Sequence, residues 1–89
     1  MAWWPHCEVT RVGPAGSGQV FIALKEPNGK FDCWFEAEEP ARKEMLATAL
    51  AALTSGLRVE VGLISAVDNT PQQYDKIHNI YLAIVRTVF

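Results

Sequence analysis

A single helical segment interrupts a chain that otherwise alternates between short β-type runs and turns. Three runs rich in β-branched and aromatic residues precede the helix, at residues 7–12, 20–24 and 31–36, and two come after it, at 57–67 and 77–88. Runs of this composition, bounded by Gly, Pro, Asn and Asp, are typical of strands. The sequence therefore predicts three strands, one helix and two further strands, in that order.

The size of the chain limits it to one domain. It has 89 residues, of which 49% are hydrophobic and 20% are charged, so it is apolar enough to fold. We expect a short N-terminal segment, residues 1–6, followed by a single domain over residues 7–89. No apolar run approaches the roughly 18 residues that cross a bilayer, so we expect no membrane span.

The turn at residues 26–30 contains the pair Asn28-Gly29, which is typical of a tight hairpin between two strands. The second and third strands are therefore predicted to pair. Alternation along the third strand places three residues on one face, Phe31, Cys33 and Phe35, and three on the other, Asp32, Trp34 and Glu36.

The helix is predicted over residues 39–55, with Pro40 in its first turn and Gly56 at its end. Helical periodicity predicts a core stripe of Leu46, Ala49, Leu50 and Leu53, with Met45 at its margin. The opposite side carries mostly small residues, namely Glu44, Ala47, Thr48, Ala51 and Ala52. Small residues there permit a second close neighbour, although Ala is also simply the best helix former.

The last strand is apolar on both faces. One side carries Ile80, Leu82 and Ile84, and the other carries Ile77, Tyr81, Ala83 and Val85. A domain with one helix has little material to cover both faces, so we expect part of this surface to contact another chain.

The order of the elements is that of the OB-fold, a mainly β, five-stranded small barrel with its helix between the third and fourth strands. Closure of a barrel also removes the unpaired edges that five short strands would leave in an open sheet. The sequence therefore predicts an OB-fold barrel.

The chain also resembles the B subunits of bacterial A-B toxins, which assemble as pentameric rings of OB-folds. The helix and the C-terminal part of the chain are similar to the cholera type in order and spacing, through residues 43–46, 49–50, 54–60, 69–71 and 77–80. The front half resembles the pertussis and typhoid type, through Cys7, Thr10 and the loop Gly16-Ser17-Gly18.

This resemblance implies a homopentamer that binds cell-surface glycans and partners a catalytic A-type subunit. The family's glycan contacts correspond here to Glu36, Asp68 and Asn69. Residues expected at the interface between copies are Ala47, Thr48, Ala51, Trp34 and Tyr81. The sugar-stacking tryptophan of the cholera type is replaced by Ala66, and the loop before the helix is much shorter, so the scaffold carries over better than the binding site.

The charge balance disfavours binding to nucleic acid. Eight basic and ten acidic residues give a net charge of -2, with no basic stripe to neutralise phosphates. The N-terminus lacks the features of a signal peptide, which favours the cytoplasm; a removed signal would instead place the protein outside it or in the periplasm. Cys7 and Cys33 favour two buried thiols over a disulfide, and both interpretations stay open.

No arrangement of residues indicates catalysis, a bound metal or a cofactor. His6 and His78 lie outside any motif, and His6 cannot activate Cys7 because neighbours in a strand point to opposite faces. The outward Trp34 is open to three interpretations: stacking on a sugar, stacking on a base, or packing against a neighbouring subunit, which is favoured. We therefore expect a non-enzymatic, oligomeric glycan-binding module, with a self-assembling scaffold or a single-strand-binding OB module as alternatives.

Overall fold

Five strands and one helix form the protein, whose computed structural model describes residues 2–64 and 73–86. The elements are β1 (Ala2–Pro14), β2 (Val20–Lys25), β3 (Asp32–Ala37), α1 (Arg42–Ser55), β4 (Leu57–Leu63) and β5 (Lys76–Arg86). The predicted order of elements is confirmed. The predicted ends of the fourth and fifth strands, residues 65–67 and 87–88, lie outside the described residues, as do the side chains of Ile84 and Val85.

The strands close into a barrel in the order β1-β2-β3-β5-β4, with β1 pairing antiparallel to both β2 and β4. β3 and β5 run parallel and pair only through Glu36 with Lys76 and Ala37 with Ile77. With α1 between β3 and β4, this topology is that of the OB-fold, and the predicted fold class is confirmed.

The hairpin between β2 and β3 forms where the Asn-Gly pair predicts it. Gly29 has a φ of 82°, a left-handed value that glycine adopts without a steric cost. The buried Glu26 carboxylate holds the turn, since its Oε1 accepts the backbone N–H groups of Asn28 at 2.8 Å and Lys30 at 3.1 Å. The turn is thus fixed by backbone geometry and by one buried acceptor.

β1 is longer than predicted, since it begins at Ala2 instead of Cys7. Trp3 and Trp4 pair with Gly62 and Val61 of β4, so these tryptophans belong to the barrel. An irregularity between Trp4 and Cys7 includes His6, whose φ is 62°. This bend lets one long strand pair with β4 by its first half and with β2 by its second.

The inward residues of the strands form the core, with Phe35, Ile22, Leu24, Leu63 and Ile77 among the largest fully buried side chains. The predicted faces of β3 are confirmed at Phe31 and Phe35, which are buried and contact each other edge to face with centroids 5.2 Å apart. β5 does not keep its predicted alternation, because Ile77, Ile80 and Ala83 are buried whereas the adjacent Tyr81 and Leu82 are both exposed. Its pairing with β4 shifts register twice, which breaks the period of two.

The helix α1 begins at Arg42, so Pro40 lies before it and not in its first turn as predicted. The helix ends at Ser55, followed by Gly56, which has a φ of 73° and donates its N–H to Ala52 O. The predicted end is confirmed, whereas the predicted core stripe is confirmed at Ala49 and wrong at Leu50 and Leu53. Met45, Ala49 and Ala52 are buried, whereas Leu50 and Leu53 are 45% and 41% exposed and Leu46 is half-buried. The helix carries apolar residues on several of its faces, so periodicity does not select the buried one. The small side chains of Ala49 and Ala52 let α1 pack closely on the barrel.

Candidate functional site

A groove of about 520 Å³ opens on the outer surface of the barrel, where β1, β2 and β3 meet the segment that leads into β5. Three aromatic residues line it, Phe21, Trp34 and Tyr74, together with Gln19, Glu36 and residues 12–15, which span the end of β1 and the residue after it. The β2-β3 surface and the adjoining loops are where OB-folds bind oligonucleotides and oligosaccharides. We therefore treat this groove as the candidate binding site.

Strand register builds the groove from two neighbouring rows of residues that cross β1, β2 and β3. In the first row Gly13 pairs with Phe21, and Phe21 pairs with Glu36. In the second row Arg11 pairs with Ala23, and Ala23 pairs with Trp34. Because outward side chains recur every second residue, Phe21 and Ala23 stand side by side on the same face of β2.

A cation–π contact joins the two ends of the second row. The Arg11 guanidinium lies 4.8 Å from the centroid of the Trp34 ring. Ala23, which lies between them in the register, is only 1% exposed although it faces outward. The contact between Arg11 and Trp34 therefore forms one edge of the groove and holds the indole in place.

Tyr74 reaches the groove through an unusual backbone conformation. Its φ is 68°, a left-handed value that costs a bulky residue about 1–3 kcal/mol. Its N–H donates to Trp34 O at 2.7 Å, and the Trp34 N–H donates to Gln73 Oε1 at 3.0 Å. These bonds fix the segment along β3, and the Tyr74 ring contacts Phe21 edge to face with centroids 5.6 Å apart.

Glu36 supplies the charge of the groove. It is half-buried, and its Oε2 accepts a hydrogen bond from Gln19 Nε2 at 3.3 Å. Gln19 Oε1 in turn accepts from Ser17 Oγ at 2.8 Å, so a short chain of hydrogen bonds orients the carboxylate. A carboxylate held in this way accepts hydrogen bonds from a ligand's hydroxyl groups.

The groove brings together Glu36, which was predicted as a glycan contact, and Trp34, which was predicted at the interface between copies. Asp68 and Asn69 lie outside the described residues. Thr48 and Tyr81 line a smaller cavity of about 180 Å³ between α1 and β5, and Trp34 is not among its lining residues. Ala47 and Ala51 are exposed on α1.

Sequence reasoning missed several residues of the groove. The outward position of Phe21 follows from alternation along β2, so that residue could have been found. Tyr74 carried no such signal, because it lies in a loop segment whose position depends on backbone bonds to β3. Arg11 was missed because its contact with Trp34 spans a strand that lies between them.

The remaining reactive groups lie away from the groove. Both cysteines are free thiols; burial raises the pKa of Cys7 to about 12, with a further contribution from the Glu26 charge. Burial, Asp75 and Asp32 also raise the pKa of the half-buried Cys33. Neither thiol is therefore an activated nucleophile at neutral pH.

His78 forms a pair that the sequence did not predict, with its Nδ1 at 2.7 Å from Glu38 Oε2. The pair lies on the surface near the start of α1 and contacts no part of the groove. Within residues 2–64 and 73–86, no three His, Cys, Asp or Glu side chains are grouped so that they could hold a metal ion.

The sequence matches no protein-family model and no curated protein. In the part of the chain that the structure describes, no helix has the length and apolar character of a membrane span.

Proposed function

We propose that the protein is a non-enzymatic binding module whose groove takes a sugar ring and whose copies assemble into a closed pentamer. One observation carries the ligand assignment: Phe21, Trp34 and Tyr74 lie together with an oriented Glu36 carboxylate on the face that OB-folds use for binding. By resemblance to the toxin B subunits, the ligand is a cell-surface glycan and a catalytic subunit is the partner.

The chemistry of the groove suits a sugar. A pyranose ring has an apolar face of C–H groups that packs on aromatic rings, and a rim of hydroxyl groups that donate hydrogen bonds. The three aromatic residues provide the first kind of contact and Glu36 provides an acceptor for the second. This combination of an apolar wall and a few oriented polar groups is typical of small-ligand sites.

The same groove disfavours a nucleic-acid strand. Glu36 is its charged residue, and the described residues that line it include no Lys or Arg. Arg11 stands at the edge, where its guanidinium contacts Trp34. A single strand would bring phosphates close to a carboxylate in a chain of net charge -2, without the cations that supply most of the binding energy.

Exposed apolar side chains away from the groove support self-assembly. Trp3, Tyr81 and Leu82 are 49%, 53% and 43% exposed, and the rings of Trp3 and Tyr81 lie 5.9 Å apart. A pair of large side chains exposed together, as Trp3 and Tyr81 are, is typical of a contact with another protein. A ring of copies would also hold several weak sugar sites together, which raises affinity for a repeated glycan.

Self-assembly alone would serve a scaffold that binds no glycan, and the exposed surface of Trp3, Tyr81 and Leu82 favours that alternative independently of the groove. The two functions differ in what they require of the groove. A scaffold binds no sugar whichever residue stands at position 34, whereas a sugar-binding module needs the aromatic wall that Trp34 provides.

A glycan array followed by titration calorimetry tests the proposal. We expect the protein to bind a subset of glycans, and Trp34→Ala to weaken binding of the monovalent sugar by about 1–3 kcal/mol, because it removes an aromatic wall of the groove. Trp3→Ala is the matched control, since it removes an exposed indole outside the groove. Unchanged affinity in Trp34→Ala would place the sugar outside this groove, and an array without any bound glycan would exclude the sugar-binding function.

A further inference from the structure

Neither backbone geometry nor packing within the described residues requires a glycine at position 13. Gly13 lies within β1 and is paired with Phe21, and glycine inside a strand is less stable than a residue with a side chain. Its φ is not left-handed, unlike those of Gly18, Gly29 and Gly56. A Cβ atom built on Gly13 would meet no described atom within 4 Å, so crowding does not exclude a side chain either.

A glycine in a strand has a third use, which is to let a ligand approach the backbone closely. Gly13 lines the groove, so the space that its missing side chain leaves belongs to the candidate site. Gly13 thus lies at the candidate site, at a position where the described part of the fold does not require glycine.

The neighbouring residues give this space its shape. Phe21 stands beside Gly13 in the register, and its ring contacts Tyr74, which is attached to the far side of β3. On the side that faces β1, Phe21 meets no side chain from Gly13, its pairing partner on that strand. The next row shows the opposite arrangement, because Arg11 and Trp34 meet there and bury Ala23.

We propose that Gly13 determines the ligand specificity of the groove, because it lets the face of a ring lie against the β1 backbone beside Phe21. The inference rests on the proposed function and narrows its ligand to a pyranose whose unbranched edge faces Gly13. Because the ring itself occupies the space beside Gly13, a substituent on that edge would collide with the β1 backbone. Glu36, at the other end of the row, accepts hydrogen bonds from the hydroxyl groups on the opposite edge.

The test compares Gly13→Val with Gly16→Val. A Cβ atom at either glycine would meet open space, but Gly16 does not line the groove, so it is the matched control. Val is well suited to a strand, and we expect Gly13→Val to keep the melting temperature of the wild type. Binding is followed by the backbone amide shifts of all three proteins, titrated with methyl glycosides of glucose, galactose and N-acetylglucosamine, and separately with phenol.

We expect at least one glycoside to shift the Gly13 amide in the wild type and in Gly16→Val. The same glycoside should bind Gly13→Val at least roughly tenfold more weakly, because a methyl group that does not fit an apolar pocket lowers affinity by about that factor. If phenol alone shows this pattern, the role of Gly13 holds and the sugar-binding function fails. If every probe binds Gly13→Val as tightly as Gly16→Val, or if no probe shifts the Gly13 amide, the role of Gly13 is overturned.

Discussion

Cys7 shows how the barrel changes the chemistry of a single residue. Its side chain is fully buried, and burial raises the pKa of the thiol from 9.0 to about 12, with the Glu26 charge acting in the same direction. Below pH 9 the thiol is protonated in both the folded and the unfolded chain. Above that pH only the unfolded chain ionises readily, so the free energy of unfolding falls as the pH rises towards 12.

We predict that this residue makes the protein sensitive to alkali. Between about pH 9 and 12, Cys7 should lower the free energy of unfolding by about 1.4 kcal/mol per pH unit, since one unit of pKa corresponds to that energy. Urea unfolding of the wild type and of Cys7→Ala at pH 8 and pH 10 measures the effect. The substitution leaves a cavity, so the change with pH is compared and not the absolute stability.

Cys33→Ala provides the control for this prediction. Cys33 is only half-buried, so the variant should keep most of the alkaline loss seen in the wild type. Equal losses in the wild type and in Cys7→Ala would show that other groups cause the alkaline sensitivity.

Two adjacent alanines of α1 lie in different environments. Ala52 is buried against the barrel, whereas Ala51 is exposed. We predict that Ala52→Glu lowers the free energy of unfolding by about 3 kcal/mol or more, because it places an unpaired carboxylate in the core. Ala51→Glu should keep a folded far-UV circular dichroism spectrum and a cooperative melting transition. An intact fold in Ala52→Glu would mean that α1 packs by another face.

The elements also differ in how far the sequence determines them. The β2-β3 hairpin was predictable, because alternation and the Asn28-Gly29 turn are local signals that agree. The buried face of α1 was not, because Leu, Met and Ala surround the helix and only the shape of the barrel selects among them. The groove was predictable at Trp34 and Glu36, which alternate on β3, but not at Tyr74, whose place depends on hydrogen bonds to another strand.

At the scale of the molecule, the barrel presents two kinds of surface. The groove combines aromatic rings with an oriented carboxylate, whereas the second surface is an exposed pair of aromatic rings, Trp3 and Tyr81. The cavity between Thr48 and Tyr81 connects the helix with this second surface. We propose that these exposed apolar side chains are buried between copies of the chain, because removing apolar surface from water is favourable.

We therefore predict that the purified protein is a pentamer, with a mass near 50 kDa by light scattering, about five times the 9.9 kDa of the chain. Ala51→Glu should reduce the mass to that of one chain, because a charge on the exposed helix face would lie within the contact between copies. Lys30→Glu is the control, since it changes an exposed charge at the β2-β3 turn, and it should leave the mass unchanged. A wild-type protein with the mass of one chain would contradict self-assembly, and an unchanged mass in Ala51→Glu would show that the α1 face lies outside the contact.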